Sequence, residues 1–345
     1  MLVTGGAGFI GSHIVEAFVA TGDDVVVLDA LLPSVHGCDA SIEAPPGVDT
    51  IRGDIRDRST VERALRGVEV VCHQAAMVGL GKDIADLPDY VNHNDLGTAV
   101  VLTAMASAGV RNLVLASSMV VYGEGRYRCG VDGAVRAAAR EADDLEAGLF
   151  EPRCPRCRSP LAVEYVDEGA AVDPRNVYAA TKVAQEFLAS SWARETSSAV
   201  RALRYHNVYG ARMPRDTPYA GVAALFRSEL AAGRPPRVFE DGKQLRDFVH
   251  VTDVARANVL ASRCPRRGFR AYNIASGAPC TIGDVATALA AATDGAPPIT
   301  TGEFRLGDVR HIVADPCRAR EELGFTASVK WPEGVRGFAT QPMRR

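Results

Sequence analysis

The stretch Leu2-Val3-Thr4-Gly5-Gly6-Ala7-Gly8-Phe9-Ile10-Gly11-Ser12 decides how this chain begins to fold. A short apolar run ends in glycines spaced three apart, a helical pattern continues to about Thr21, and a second apolar run, Val25-Val26-Val27-Leu28-Asp29, follows. That succession predicts strand, turn, helix, strand. Each glycine then has a use: Gly5 for a tight turn, Gly8 for close approach of backbone to a pyrophosphate, Gly11 for close helix packing. The helix N-terminus faces the phosphates. Asp29, 18 residues beyond Gly11 at the end of the second strand, is placed to accept hydrogen bonds from an adenosine ribose, and its charge would repel a 2′-phosphate. The unit predicts a dinucleotide site that takes NAD rather than NADP.

Outward from that unit the alternation continues. Apolar strand-like runs recur at 50–51, 68–71, 113–116, 200–203 and 272–274, with helical patterns at 59–66, 97–108 and 178–194. This predicts an α/β fold, a Rossmann-type doubly wound parallel sheet with helices on both faces. After the third strand, Asp54 is placed to meet an adenine amino group and Ile55 to cover the ring. After the fourth, Ala75 and Ala76 are small enough for backbone to approach a cofactor. From about 124 to 173 the rhythm breaks: arginines, an acidic patch at 141–146 and Cys154-Pro155-Arg156-Cys157 show no sheet periodicity and read as an insertion. The expected division is an NAD-binding domain over 1–205 carrying that insertion, then a smaller C-terminal substrate-binding lobe over 206–345 with some segments returning to the first domain.

Composition narrows the partners. In 345 residues, 39 basic against 42 acidic side chains leave a formal charge of −3. So balanced a chain offers neither nucleic acid nor an anionic membrane a complementary field. Its apolar runs fall short of a membrane span, and no basic or apolar leader separates Met1 from the first strand, so a cytoplasmic protein is expected. Of eight cysteines only 129, 154 and 157 cluster, which suits a reduced compartment with one metal site better than a disulfide framework.

Tyr178-Ala179-Ala180-Thr181-Lys182 sets a phenol and an ammonium one helical turn apart on one face. Tyrosine titrates near 10 in isolation, and a nearby cation brings its phenolate closer to neutral pH. Ser117-Ser118, closing the run at 113–116, adds an alcohol able to share a substrate hydroxyl with that tyrosine.

These pieces resemble the extended short-chain dehydrogenases that act on nucleotide sugars, the UDP-galactose 4-epimerase-like family. The resemblance runs through most of the chain in the family's order: the glycine stretch 4–12, Ala116-Ser117-Ser118-Met119-Val120-Val121-Tyr122-Gly123, Tyr178-x-x-x-Lys182, Arg204-Tyr205-His206-Asn207-Val208-Tyr209-Gly210, and 241–251. It implies that Ser118, Tyr178 and Lys182 are catalytic, with Tyr178 the base and Lys182 on the nicotinamide ribose. It implies cofactor contacts from Gly5, Gly8, Phe9, Ile10, Gly11, Asp29, Asp54, Ile55, Ala75, Ala76, Asn94, Ser117, Tyr178, Lys182 and Tyr205. On the substrate side it implies Met77, Gly79, Lys82, Ser118, Met119, His206, Asn207, Val222, Val238, Gln244, Arg246, Arg305 and Asp308. Asn207, Arg246 and Arg305 would hold the diphosphate, where guanidinium makes paired bonds to phosphate oxygens, and Asp308 would lie near the nucleoside ribose.

The related 4,6-dehydratases carry an acid pair directly after the catalytic Ser/Thr. Here Met119 and Val120 stand in those positions, and neither can move a proton. What the resemblance leaves is 4-epimerisation of a dTDP- or UDP-linked hexose or 6-deoxyhexose: transient C4 oxidation by tightly held NAD, rotation of the 4-keto sugar, and hydride return to its other face. Two outcomes share every motif, a UDP-uronic acid epimerase or decarboxylase, with Lys82 facing a carboxylate, and an NDP-4-keto-sugar reductase. A non-catalytic NAD-binding regulator is the alternative from another class. The run Tyr122-Gly123-Glu124-Gly125-Arg126-Tyr127-Arg128-Cys129 with Cys154-Pro155-Arg156-Cys157 is similar to a subgroup that includes dTDP-L-rhamnose 4-epimerases. Three soft thiolates invite structural zinc, with Asp132 as fourth ligand where that subgroup usually has His or Cys; a metal-free reduced insertion is the alternative. His206 replaces the family's usual phenylalanine, either as a sugar selector or as a packed imidazole. A homodimer through a four-helix bundle of the helices at 97–108 and 178–194 is also implied.

Overall fold

The computed structural model describes residues 1–37, 41–79, 84–215 and 221–344; of the site residues named above, Lys82 lies outside them. Along the chain come β1 (Leu2–Thr4), β2 (Val26–Asp29), β3 (Asp49–Arg52), β4 (Val70–His73) and β5 (Asn112–Ser118). The insertion contributes β6 (Arg126–Cys129), β7 (Gly133–Val135) and β8 (Ala162–Glu164), after which β9 (Ala199–Tyr205) and the strand Gly268–Ile274 complete the main sheet. Its order is Gly268–Ile274, β9, β5, β4, β1, β2, β3, and all pairings are parallel. The chain reverses direction across the sheet between β1 and β4, which opens a crevice at their carboxyl ends, where ligands bind in such folds.

Leu113, Val114 and Leu115 are wholly buried because helices cover both faces, which is why the strands read as unbroken apolar runs. On one face the helices Phe9–Ala20 and Val251–Ser262 bury Phe18 and Val254 against Val3, Val27 and Val114. On the other, Arg58–Ala64, Gly97–Ala108 and Val177–Thr196 bury Val61, Val101 and Trp192 against Leu2, Leu113 and Val200. A third core of Tyr209, Phe226, Leu230, Phe248, Leu289 and Phe338 lies in the C-terminal lobe.

The insertion, whose sequence shows no clear sheet periodicity, forms a small sheet of its own. β6 lies between β7 and β8 in an antiparallel sheet, with Arg126 and Arg128 exposed and Tyr127 and Cys129 buried. The period of two is present, but over only four residues, too short a run to stand out in the sequence. Among the described residues no helix is long and apolar enough to cross a membrane.

Candidate active site

The helix Phe9–Ala20 starts at Gly8 with no side chain capping it and no acidic residue in its first turn. Its first N–H groups are open to an anion, which the helix dipole also favours. Packing demands the glycines: Gly5 has φ +69° and a Cβ there would lie 2.6 Å from the Ala75 nitrogen, while one on Gly11 would lie 2.1 Å from the Gly5 carbonyl oxygen. Asp29 is pinned at the end of β2, Oδ2 accepting from the Ala7 N–H at 3.0 Å and Oδ1 from that of Leu31 at 2.9 Å. Each oxygen keeps a lone pair for a ribose hydroxyl. An open helix start, backbone with no room for side chains and a fixed carboxylate together fit a dinucleotide.

Other residues expected at the cofactor are engaged elsewhere. Asp54 is bound through both oxygens by Arg56, with Nη2 at 2.6 Å, and that guanidinium holds its carboxyl below the usual range. Ile55 is buried against Gly97. The Asn94 carboxamide accepts from the Met77 N–H at 2.7 Å and donates to the Met77 carbonyl at 3.0 Å and the Thr181 hydroxyl at 2.9 Å. With both amide hydrogens used, it joins the loop after β4 to the helix Val177–Thr196, and its oxygen keeps one lone pair. Ser117 donates to Glu186 at 2.5 Å, and the Tyr205 hydroxyl lies 2.9 Å from Asn258 Oδ1 and 3.2 Å from Gln74 Oε1.

Asn176 caps the helix Val177–Thr196 by accepting from the Ala179 N–H at 2.8 Å, which sets Tyr178 in the first turn. Lys182 lies one turn on, its Nζ 5.8 Å from the Tyr178 ring centroid and donating to the Ala116 carbonyl at 2.9 Å. Burial pushes the Tyr178 phenol up, and the Ser118 hydroxyl at the end of β5 pulls it back. Burial lowers Lys182 to about 8, opposed by Glu186 and Asp95. Glu186 itself is buried and paired with Arg204, whose Nη2 and Nε donate at 2.7 and 2.9 Å and whose Nη1 donates to the Tyr122 hydroxyl at 2.9 Å. Sequence reading missed Glu186, although its place four residues after Lys182 on one helix face was a usable signal. Asp95 was missed too. It lies in a π-helical turn, Val91–Leu96, with Oδ1 buried and unpartnered, and burial raises its carboxyl to about 6.

Beyond Tyr205 come the residues expected at the substrate. His206 is buried and neither ring nitrogen has a partner in hydrogen-bonding geometry; burial lowers it to about 4, so it is neutral, with Asp247 and the nearby Asn273 carboxamide opposing. Asn207 Oδ1 and Gln244 Oε1 are likewise unpartnered. The Arg246 Nη1 donates to the carbonyls of Leu245 at 2.8 Å and Arg310 at 2.9 Å, and its Nη2 to that of Val309 at 2.7 Å. The Arg305 guanidinium stacks 5.1 Å from the Phe239 ring centroid, and burial raises the Asp308 carboxyl against Arg305, Arg246 and Arg140. Gly79 and Val78 offer their carbonyls to the Tyr90 hydroxyl, each at 3.1 Å; Met77 and Met119 are half-buried, and Val222 opens the helix Val222–Ala231. Val238 is buried in the lobe's core, so packing accounts for its side chain.

The profile of the NAD dependent epimerase/dehydratase family matches residues 1–140 and 152–275. The chain belongs to this family. It is 31% identical to a dTDP-L-rhamnose 4-epimerase of Burkholderia thailandensis, over 97% of this chain and 92% of that protein. It is 33% identical to a UDP-glucose 4-epimerase of Mycolicibacterium smegmatis, over 97% and 95%. Its fold matches the structure of Thermus thermophilus UDP-glucose 4-epimerase in complex with NAD, with a TM-score of 0.78 and 32% identity over 98% of this chain and 97% of that one.

The break in the family match, 141–151, falls inside the insertion. There Cys129, Asp132, Cys154 and Cys157 bring four ligand atoms within 4.8 Å of one another. The Cys129 and Cys157 sulfurs are 3.4 Å apart, and Asp132 Oδ2 is 3.2 Å from that of Cys154 and 3.6 Å from that of Cys129. Every cysteine among the described residues is a free thiol.

Proposed function

We propose that the protein is an NAD-dependent nucleotide-sugar 4-epimerase acting on a dTDP- or UDP-linked hexose or 6-deoxyhexose. The observation that carries this reading is the grouping of Ser118, Tyr178 and Lys182 at the carboxyl edge of the sheet, two strands from the Gly5–Gly11 turn, with apolar Met119 and Val120 directly after the serine.

NAD, when bound, supplies the acceptor and donor of the hydride at the sugar's C4. Ser118 holds the C4 hydroxyl while Tyr178 takes its proton and later returns it. Because burial disfavours the Tyr178 phenolate, the base depends on the Lys182 cation, which persists up to about pH 8. Arg246, Arg305 and Asn207 anchor the diphosphate, so the 4-keto sugar can turn about that anchor and present its other face. With Met119 and Val120 beside the serine, no carboxyl stands there to expel a C6 hydroxyl, which separates this chemistry from dehydration. Residues 1–205 chiefly hold the cofactor and 206–345 the nucleotide sugar.

The names of the relatives make dTDP-L-rhamnose and UDP-glucose the sugars to try first. A homodimer is supported by exposed Leu96, Phe187 and Leu188 along the helix pair, Phe187 being 62% exposed. Free thiols suit work in the reducing cytoplasm. The test is proton NMR of the purified protein with either sugar nucleotide and no added cofactor. A new H4 signal at equilibrium is expected from bound, recycled NAD. An unchanged spectrum, together with reduction of an NDP-4-keto sugar by added NADH or NADPH, would replace the epimerase by a reductase.

A further inference from the structure

We propose that Cys129, Asp132, Cys154 and Cys157 hold a structural Zn²⁺, and that this ion, through Arg140 and Glu151 of the same insertion, fixes the segment 308–311 on which Arg246 rests. The second half rests on the nucleotide-sugar reading above; the metal site does not.

The geometry of the four groups suits the ion. Zinc–sulfur bonds of about 2.3 Å in a tetrahedron place sulfurs about 3.8 Å apart, and a carboxylate oxygen about 3.5 Å from each sulfur. The separations of 3.4, 3.6 and 3.2 Å among these atoms lie close to that pattern, whereas a disulfide would need about 2 Å. The backbone N–H of Val131 donates to the Cys129 sulfur at 3.4 Å. Three thiolates and one carboxylate suit a soft, four-coordinate d¹⁰ ion, and binding exchanges the thiol protons for the metal. All four positions are filled by protein, so the ion has no place for substrate and its role is structural.

What the ion would hold in place is visible in the contacts that leave the insertion. Tyr127, two residues before Cys129, accepts at its hydroxyl from the His311 N–H at 3.2 Å. Glu151, three residues before Cys154, accepts from Arg310 Nη2 at 2.7 Å through one oxygen and meets His311 Nε2 at 2.9 Å through the other. Arg140 Nη2 donates to the Asp308 carbonyl at 2.7 Å and pairs with Glu240 at 2.8 Å, both side chains buried. Arg310, wholly buried, adds Glu240 and Asp241 to Glu151, so one guanidinium joins the insertion to the lobe. The carbonyls of Val309 and Arg310 in turn hold the Arg246 guanidinium, and His311 Nδ1 accepts from the Leu245 N–H at 3.0 Å. An insertion outside the main sheet thus sets a group proposed to receive the substrate's diphosphate. Glu151 acts here as a positioning residue.

The experiment counts metal and measures nucleotide binding separately. Protein purified under reducing conditions should contain one zinc per chain by plasma mass spectrometry; Cys157→Ala, at an exposed position, and Cys154→Ser should both lose it. Calorimetry with UDP and with dTDP should then show roughly tenfold weaker binding in Cys157→Ala and in Glu151→Gln, Glu151→Gln keeping its zinc and both keeping bound NAD. In turnover the loss should appear in KM with kcat little changed. Wild-type protein that carries no zinc and takes none up from added ZnCl₂, or variants that retain it, would overturn the metal site. Stoichiometric zinc with unchanged nucleotide affinity in Glu151→Gln would overturn the coupling. Neither readout needs epimerisation, so a failure of the proposed reaction would be seen apart from both.

Discussion

The two ends of the cleft are built differently. At the cofactor end, Gly5, Gly8, Gly11 and Asp29 come from one strand–turn–helix–strand unit, and Asp29 is fixed by backbone N–H groups within that unit. At the expected substrate end, the groups come from segments around 119, 206, 244 and 308, and long-range ion pairs of Arg310 and Arg140 tie the last two of these to the insertion. Polar atoms there are left without partners, on His206, Asn207 and Gln244. Buried polar groups are ordinarily satisfied, so the contrast teaches that the protein alone fixes the Asp29 carboxylate, while His206, Asn207 and Gln244 carry atoms that a bound ligand would satisfy.

The largest effect should come from Tyr178→Phe. Loss of the base should lower kcat by roughly 10²- to 10⁴-fold while NAD content and UDP or dTDP affinity stay unchanged. Retained activity would assign the base to another group, and a wild type with bound NAD and no turnover on any sugar nucleotide would return the chain to the non-catalytic reading. Gly11→Ala attacks the other side of the comparison. Its Cβ would stand 2.1 Å from the Gly5 carbonyl oxygen, a backbone atom that cannot yield without opening the turn. The purified variant should carry little or no NAD, read from nucleotide released on denaturation, yet still bind UDP or dTDP. Loss of both ligands would mean the two ends are not separately built.

Glu186→Gln should cost stability before it costs chemistry. It leaves the buried Arg204 guanidinium without its counter-charge, a change worth about 3–5 kcal/mol, measurable by denaturant unfolding. An unaltered midpoint would show that Tyr122 and the Glu168 carbonyl suffice for Arg204.

The contrast also marks what was legible in the sequence. The sheet, its flanking helices and the glycine turn were readable because each depends on neighbours a few residues away. Asp54 and Ile55 are expected at the cofactor from their place after the third strand, and Asn94 and Ser117 by resemblance; what the sequence does not show is that these side chains also meet Arg56, Gly97, Met77 and Glu186. Arg310 was not legible at all. Its partners Glu151 and Glu240 stand 159 and 70 positions away, and nothing in a buried arginine's sequence context separates it from a surface one.

A smaller effect tests the charge around Lys182. Asp95 favours the Lys182 cation, so Asp95→Asn should lower the lysine's pKa and move the alkaline limb of kcat/KM to lower pH, by about half a unit. Asp95 itself is ionised only above about 6, so wild type and variant should converge below that pH. A limb that does not move would assign the alkaline loss to another group.

His206→Phe is the finest probe of the substrate end. A neutral imidazole with two unpartnered nitrogens pays for burial without return in the free protein, so phenylalanine in its place should raise the unfolding midpoint. If a substrate hydroxyl completes the imidazole, the variant should also lose roughly three- to tenfold in kcat/KM on the sugar nucleotide that supplies it, and little on one that does not. The ratio of kcat/KM for UDP-glucose to that for dTDP-L-rhamnose should therefore change. A gain in stability with that ratio fixed would make His206 a packed side chain, and would leave Asn207 and Gln244 as the unpartnered groups that a sugar nucleotide completes.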